Sequence, residues 1–281
     1  MISLIICSRS SDISDTLKQN IFKTIGVNYE LLIIDNSNNN YSIFSAYNEG
    51  VNRAKYPLLC FMHEDILYHT NNWGALILSH FNESSIGLLG FAGTHFLPKS
   101  PIYWFNSPFI SEYNLTNNNG EIIECIKTDY YMNEDIVDVV ACDGFCFFIR
   151  KELFSFIKFD DVNFSGFHFY DMDICMQVIE SGNRVCLCRN VLIEHEWSEE
   201  KSKNEKGMDV FEKNQQLFFE KWKSYFPIVR GINQVPLYVI NRINQLFISV
   251  NNANEVRKSK AYRIGKILLS PFKLIKFIDK S

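Results

Sequence analysis

The fold is decided by three apolar runs within the first 65 residues. They read ISLIIC at residues 2–7, LLII at residues 31–34 and LLCFM at residues 58–62. Continuous apolar runs of this length are typical of strands buried on both faces of a parallel sheet. Helical periods over Ile13–Ile25 and Ser42–Ala54 separate the runs. The alternation with short connections predicts right-handed crossovers and a doubly wound, mostly parallel α/β sheet.

The rest of the chain has a less regular pattern. Asp12 is predicted to cap the first helix. Phe91–Glu134 is rich in Asn, Pro and aromatic residues, which predicts long loops around a site rather than a second domain. A further helix is predicted from about Asp171 to Glu180. We therefore expect one domain over residues 1–225 and a helical, basic amphipathic extension over residues 226–281.

Composition excludes several classes of protein. The 281-residue chain has a formal net charge of -4, with 47% hydrophobic and 21% charged residues. These values describe an ordinary globular protein and argue against a globally basic nucleic-acid binder. The eight cysteines lack the paired spacing of a zinc site and indicate buried thiols in a reducing compartment. No signal peptide and no apolar run of about 18 residues is visible, so a cytoplasmic location is predicted.

Polar residues follow each of the three apolar runs. Ser8 and Arg9 follow the first run, Asp35 follows the second, and His63-Glu64-Asp65 follows the third. In doubly wound sheets, ligands bind beyond the carboxyl ends of the parallel strands. The sequence therefore predicts that these polar residues share one binding site.

Two phosphate-binding signatures are missing from the sequence. Neither GxGxxG nor GxxxxGK[ST] occurs, so a dinucleotide dehydrogenase or a P-loop enzyme is not supported. Without these loops, a bound diphosphate needs another positive charge, and Mg²⁺ or Mn²⁺ on one or two carboxylates is the simplest source. His63 and Asp65 alternate and leave the same face of the chain. A solvated loop after a strand is the alternative explanation of these residues.

A second polar cluster lies where the helix near Asp171 begins. Because residues two apart on a helix point about 200° apart, at most one of Asp171 and Asp173 can face a common site. Acidic residues in a first turn also complement the helix dipole, which is the alternative. The aromatic neighbours favour a partly desolvated carboxylate, which is a better base near neutral pH. His195 ends another apolar run, as a structural residue or a metal ligand.

These motifs together resemble the family 2 glycosyltransferases with the A-type fold, and within them a bacterial glycosyltransferase-like subgroup. The resemblance covers about residues 1–200, and it lies in the order and spacing of the motifs. The matching segments are residues 2–9, 32–37, 46–50, 59–65, 143–144 and 170–173, with Gly182 and His195.

The resemblance implies an inverting hexosyltransferase. It would move a sugar from a nucleotide diphosphate donor, UDP by default, to a hydroxyl of a glycan or lipid-linked glycan in polysaccharide biosynthesis. It also implies that Asp171 is the general base, and that Asp65 and His195 hold Mn²⁺ or Mg²⁺. The remaining implied roles are donor binding by Ser8, Arg9, Asp35, Asn48 and Glu64, and acceptor binding by Asp143, Gly144 and Tyr170.

Two residues depart from the family pattern. His63 stands where the first carboxylate of Asp-x-Asp is expected, and Tyr170 replaces the Glu of the Glu-Asp pair. These departures leave open a catalytically degenerate subunit that binds sugar nucleotide or glycan. A sugar-1-phosphate nucleotidyltransferase is the other alternative, although such enzymes carry a glycine-rich basic loop where this chain has Ser8-Arg9-Ser10-Ser11.

The last segment of the chain mixes basic and apolar residues. From Glu255 onward, eight Lys and Arg residues alternate with apolar side chains, and Pro271 interrupts the pattern. This composition predicts a basic amphipathic element over residues 255–281 that contacts an anionic membrane, at its inner face. A helix that packs on the catalytic domain, or on a second subunit of a homo-oligomer, is the alternative.

Overall fold

The computed structural model describes residues 1–118, 120–127, 134–196 and 208–258. The strands are β1 (Ile2–Ser8), β2 (Tyr29–Asp35), β3 (Leu58–Met62), β4 (Ile66–Tyr68), β5 (Ile86–Gly90), β6 (Ala92–Thr94), β7 (Phe96–Leu97), β8 (Ile110–Asn118), β9 (Glu121–Lys127), β10 (Ile136–Val139), β11 (Ala141–Cys142), β12 (Cys146–Arg150), β13 (Arg184–Cys188), β14 (Ile193–Glu196) and β15 (Ile228–Val229). The α-helices are α1 (Asp15–Thr24), α2 (Ile43–Arg53), α3 (Trp73–His80), α4 (Tyr170–Glu180), α5 (Met208–Trp222) and α6 (Leu237–Lys258).

The larger sheet has the order β10-β13-β5-β12-β3-β1-β2. β1 pairs in parallel with β2 and β3, and β13 pairs in parallel with β5. β12 is antiparallel to both β3 and β5, and β10 is antiparallel to β13. Five strands therefore run in one direction and two in the other, which confirms the prediction of a mostly parallel α/β sheet.

The first two helices lie where the periodicity places them, but one predicted cap is wrong. Ser14, not Asp12, caps α1, because its side chain accepts a hydrogen bond from the backbone N–H of Leu17 at 3.2 Å. Asp12 instead accepts from the backbone N–H of Ile13 and pairs with Lys18.

The region predicted to form long loops contributes three strands, β6, β8 and β9, to a second sheet. Its strands follow the order β11-β6-β8-β14-β4, with β9 paired to β8. The strand pattern is hard to see in the sequence because β8 buries the polar residues Ser111, Glu112 and Asn114. Buried polar residues remove the alternation of apolar and polar positions on which strand prediction depends.

The extension after residue 225 begins against the main body. β15 pairs with β7, and Ile232 and Ile240 pack in one apolar cluster with Phe96 and Phe109. α6 follows, so a helix is present in the extension as predicted. Of the predicted basic element over residues 255–281, the part after residue 258 lies outside the described residues. Its membrane contact stays a prediction. Among the described helices, none has the length and apolarity needed to cross a membrane.

Candidate active site

Three metal-competent side chains meet beyond the end of β3. His63 and Asp65 follow this strand directly, and the antiparallel pairing of β14 with β4 places His195 opposite Ile66. Oδ1 of Asp65 lies 3.9 Å from Nδ1 of His63 and 3.5 Å from Nε2 of His195. One ligand atom from each of the three residues lies within 4.8 Å of the others.

These spacings fit a single divalent ion. Two ligand atoms about 2.1 Å from an octahedral ion lie about 3.0 to 4.2 Å apart, and both distances from Oδ1 of Asp65 to the imidazole nitrogens fall in this range. The imidazoles are also fixed in place, since His195 stacks on Phe145 with ring centroids 4.8 Å apart. Nε2 of His63 lies 2.9 Å from the Tyr170 hydroxyl.

Asp143 and Gly144 form the turn between β11 and β12 at the same edge. Burial raises the pKa of Asp143, and His195 opposes this shift. The backbone of Gly144 lies so close to the Tyr170 ring that a Cβ at position 144 would be 2.1 Å from the Tyr170 hydroxyl oxygen. The acceptor residues predicted from the sequence are therefore brought together with the metal cluster.

Asp171 is the buried carboxylate of the site, with 1% of its surface exposed. Its Oδ2 accepts a hydrogen bond from the Tyr103 hydroxyl at 3.0 Å, and its Oδ1 accepts from the backbone N–H of Met172 at 2.8 Å. Burial, and then repulsion by Asp143, raises the pKa of Asp171 to about 7. A carboxylate with this pKa suits a general base near neutral pH.

Asp173 is equally buried but faces away from Asp171. It lies 2.9 Å from Nζ of Lys221, and it accepts hydrogen bonds from Nε1 of Trp222 at 2.8 Å and Nε2 of Gln177 at 2.7 Å. The contacts with Lys221 and Trp222 fasten α4 to α5, whereas Gln177 lies on α4 itself. The prediction that the two carboxylates point to different sides is confirmed.

The backbone before α4 is held by a residue that the sequence analysis missed. Nδ2 of Asn214, on α5, donates to the carbonyls of Ser165 and His168 at 2.7 and 3.1 Å. Phe169, the residue before the helix, has a φ of 74°, a left-handed conformation that a phenylalanine adopts only when its surroundings impose it. Neither Asn214 nor Tyr103 carries a spacing signal, because each acts on a distant segment.

The predicted donor residues divide into two groups. The Ser8 hydroxyl donates to the Glu64 carboxylate, so the ends of β1 and β3 are joined, and Arg9 and Asp35 are exposed beside them. Asn48 is the exception. Its amide donates to the carbonyl of Phe159 at 2.8 Å and accepts from the N–H of Phe159 at 3.1 Å. These bonds give Asn48 a structural role, so we leave it out of the proposed donor site.

A family model described as "Glycosyltransferase like family" matches residues 3–222. The chain belongs to this glycosyltransferase-like family. The match spans both sheets, α4 and α5, and therefore includes every residue of the site described above. A search of curated protein sequences finds no match.

Two solved structures resemble this glycosyltransferase-like chain. One is titled "Crystal structure of GalNAc-T7 with UDP, GalNAc and Mn2+", with a TM-score of 0.50 and 12% sequence identity over 70% of this chain and 44% of that one. The chain thus spans less than half the length of that protein, and the likeness shows the fold alone. The other is titled "Crystal Structure of A197 from STIV", with a TM-score of 0.43 and 14% identity over 69% of this chain and 84% of that one.

Proposed function

We propose that this protein is a metal-dependent, inverting glycosyltransferase, most simply a hexosyltransferase. It would move a sugar from a nucleotide diphosphate donor to a hydroxyl of a glycan or lipid-linked glycan. One observation carries the proposal: a metal-competent cluster and a buried carboxylate of raised pKa lie at the same sheet edge. Asp143 links the two parts, because it raises the pKa of Asp171 and interacts electrostatically with His195.

Asp65, His63 and His195 are the residues that would hold the ion. A bound divalent cation would supply positive charge against the departing diphosphate. UDP and Mn²⁺ are the default choices, and the GalNAc-T7 structure, which shares the fold, contains both. Arg9 and Asp35, exposed at the ends of β1 and β2, would contact the nucleotide.

Asp171 would remove the proton from the attacking acceptor hydroxyl. Tyr103 already occupies Oδ2 with a hydrogen bond, and the backbone N–H of Met172 contacts Oδ1, so the carboxylate has one fixed orientation. A single carboxylate base is what an inverting transfer requires, because no covalent glycosyl intermediate forms. Asp173 is engaged with Lys221 and Trp222 and would take no part in the chemistry.

The test is turnover of Asp65→Asn with a panel of sugar nucleotides. Asp65→Asn should abolish sugar transfer and donor hydrolysis while leaving the melting temperature close to that of the wild type. Removing the metal from the wild type with a chelator should do the same, reversibly. A wild type that stays active in chelator would refute the metal role.

A catalytically degenerate subunit is the second candidate, favoured by the His63 and Tyr170 departures. It would bind a sugar nucleotide with metal-dependent thermal stabilisation but hydrolyse none of the panel. Measuring both properties on the same samples separates the two functions.

A further inference from the structure

A polar groove lies between α5 and the last turns of α6, and none of the residues assigned above to metal, donor or base lines it. Its volume is about 610 Å³, which is within the range of ligand sites in proteins, about 300 to 1,000 Å³. Side chains of residues 209–216 on α5 form one wall, and side chains of residues 251–255 on α6 form the other. The family model ends at residue 222, so α6 lies outside it.

The groove reaches the segment that contacts the proposed base. Pro101 lines the groove, and two residues later the Tyr103 hydroxyl donates to Asp171 at 3.0 Å. Phe211, on the helix that forms one wall, packs edge-on against the Tyr103 ring with centroids 5.6 Å apart. A molecule in the groove would therefore lie next to the segment that holds Asp171.

Both walls of the groove are fixed by buried polar side chains. On α6, Oδ1 of the buried Asn244 accepts a hydrogen bond from the backbone N–H of Lys99 at 2.7 Å, which ties the helix to the segment before Pro101. On α5, the buried Asn214 bonds the backbone that precedes α4. The groove is therefore preformed in the folded chain.

The lining of the groove suits a molecule rich in hydroxyl groups. Four of its side chains are primary amides: Gln215, Gln216, Asn251 and Asn254. An amide has both donors and an acceptor, and so does a sugar hydroxyl, so the two can pair in either direction. Among the described residues of the lining, only Pro101 is apolar, which leaves an apolar ligand little surface to bury.

The charge of the lining distinguishes between classes of sugar. Three carboxylates, from Asp209, Glu212 and Glu255, line the groove with one ammonium group, from Lys213. The described lining is therefore negative. It should repel uronic acids and phosphates and attract amino groups.

We propose that the groove binds the distal sugars of the acceptor, and that it takes an uncharged or aminated oligosaccharide rather than an anionic one. The groove selects the acceptor chain, whereas Asp171 acts on its terminal sugar. The inference rests on the proposed function only in calling this oligosaccharide the acceptor. Binding itself requires neither the donor nor a metal ion.

The first experiment measures binding of three tetrasaccharides to the full chain, without metal or nucleotide. Titration calorimetry compares the tetrasaccharides of glucose, glucosamine and galacturonic acid at about pH 6, below the pKa of an amino group. The glucosamine chain should bind most tightly and the galacturonic acid chain least, with about tenfold or more between them, because each carries several charges. Equal affinities, a preference for the anionic chain, or no binding of any chain would overturn the proposal.

The second experiment removes two amides from one wall. The double variant Asn251→Ala, Asn254→Ala should weaken binding of the glucose tetrasaccharide about tenfold or more, the effect expected from losing two hydrogen bonds. Alanine favours helix, so α6 should remain folded, and circular dichroism checks this. Gln245→Ala is the matched control, because Gln245 is an exposed amide on α6 that does not line the groove. Unchanged affinity in the double variant would overturn the site.

The third experiment changes the charge of the lining while keeping its shape. In the double variant Glu212→Gln, Glu255→Gln, the galacturonic acid chain should bind more tightly than to the wild type, and the glucosamine chain less tightly. The glucose chain is the uncharged control. An unchanged ratio between the affinities of the two charged chains would overturn the charge selectivity.

Salt tests the rival occupant, which is the basic segment of this chain after residue 258. Salt screens exposed charges, so the affinity for the glucose tetrasaccharide should be the same at about 0.05 M and about 0.5 M sodium chloride. An affinity that rises with salt would show that the chain's own cationic residues cover the groove, and would overturn the proposal.

These outcomes are separable from those of the proposed function because no sugar nucleotide is added. Oligosaccharide binding in the groove without sugar transfer would refute the transferase and leave the ligand class standing. Sugar transfer by a protein whose groove binds none of the tetrasaccharides would refute only this inference.

Discussion

Asp171 and Asp173 lie in the first turn of the same helix, and each residue is only 1% exposed. The charges of the groups around the two carboxylates are nevertheless opposite. Asp171 faces a second carboxylate, Asp143, and receives one side-chain hydrogen bond, from the neutral Tyr103. Asp173 faces the ammonium group of Lys221 and receives two further hydrogen bonds. Two buried carboxylates can therefore have different functions because of the groups that approach them from other segments.

The comparison also separates catalysis from stability. A buried carboxylate charge without a neighbouring cation lowers the free energy of unfolding, and the ionised form of Asp171 is buried in this way. Asp173 is paired, so its contacts fasten α4 to α5. We therefore expect substitution of Asp171 to affect mainly turnover, and substitution of Asp173 to affect mainly stability.

The largest expected effect is on turnover. Asp171→Asn removes the proposed base and should lower the turnover number by about two to four orders of magnitude, the usual contribution of a positioned base. Donor affinity, measured by calorimetry, should stay close to the wild-type value. Asp173→Asn is the control on the same helix, and a greater loss of turnover per folded molecule in that variant would reverse the assignment.

The second effect is on the pH dependence of stability. The pKa of Asp171 is about 7 in the folded protein and near 3.8 when the chain is unfolded, so only the folded state holds this proton between those values. The unfolded state binds fewer protons there, and the contribution of Asp171 to stability falls as pH rises from about 4 to 7. The full contribution is at most about 4 kcal/mol.

Urea unfolding of Asp171→Asn and the wild type at pH 5 and pH 8 measures this effect. The Asn variant should be the more stable protein at pH 8, and the difference should shrink at pH 5. If the variant and the wild type have equal free energies of unfolding at pH 5 and again at pH 8, Asp171 is not held at a raised pKa.

The third effect is the loss of stability in Asp173→Asn. This change leaves Lys221, whose side chain is 31% exposed, with Asp160 as its remaining carboxylate partner, at 2.9 Å. Removing the buried carboxylate of this ion pair, which also accepts from Trp222, should lower the free energy of unfolding by about 2–3 kcal/mol. Lys223→Met breaks an exposed pair with Glu220 and should cost much less, because water and salt screen exposed charges. A similar cost in both variants would mean that Asp173 does not anchor α5.

The smallest effect concerns Tyr103. Its hydroxyl lowers the pKa of Asp171, so Tyr103→Phe should raise that pKa and move the acid limb of the pH–rate profile to higher pH. The rate should fall by about tenfold or less at pH 6 and recover at pH 9, because the base is then ionised again. Tyr225→Phe should leave the profile unchanged. A uniform loss at every pH would assign Tyr103 a purely structural role.

The sequence predicted much of the central sheet because its signals are local. Runs such as residues 2–7 and 58–62 depend only on neighbouring residues, and β1 and β3 follow them closely. The same locality failed for β8, where buried polar residues hid the strand, and for the cap of α1. A polar residue inside a sheet is stable only when distant groups satisfy it, and those groups cannot be seen in its own segment.

The sequence by itself determined that polar residues follow the strands and that at most one of Asp171 and Asp173 faces a site there. The family resemblance favoured Asp171, but only the tertiary structure decided what surrounds each carboxylate, because Asp143, Tyr103 and Lys221 approach them from other elements. It alone also brought His63 to Tyr170 across 107 positions. Periodicity depends on bonds along the chain, whereas pKa values and ligand geometry depend on contacts through space. The chemistry of this site was therefore fixed by folding.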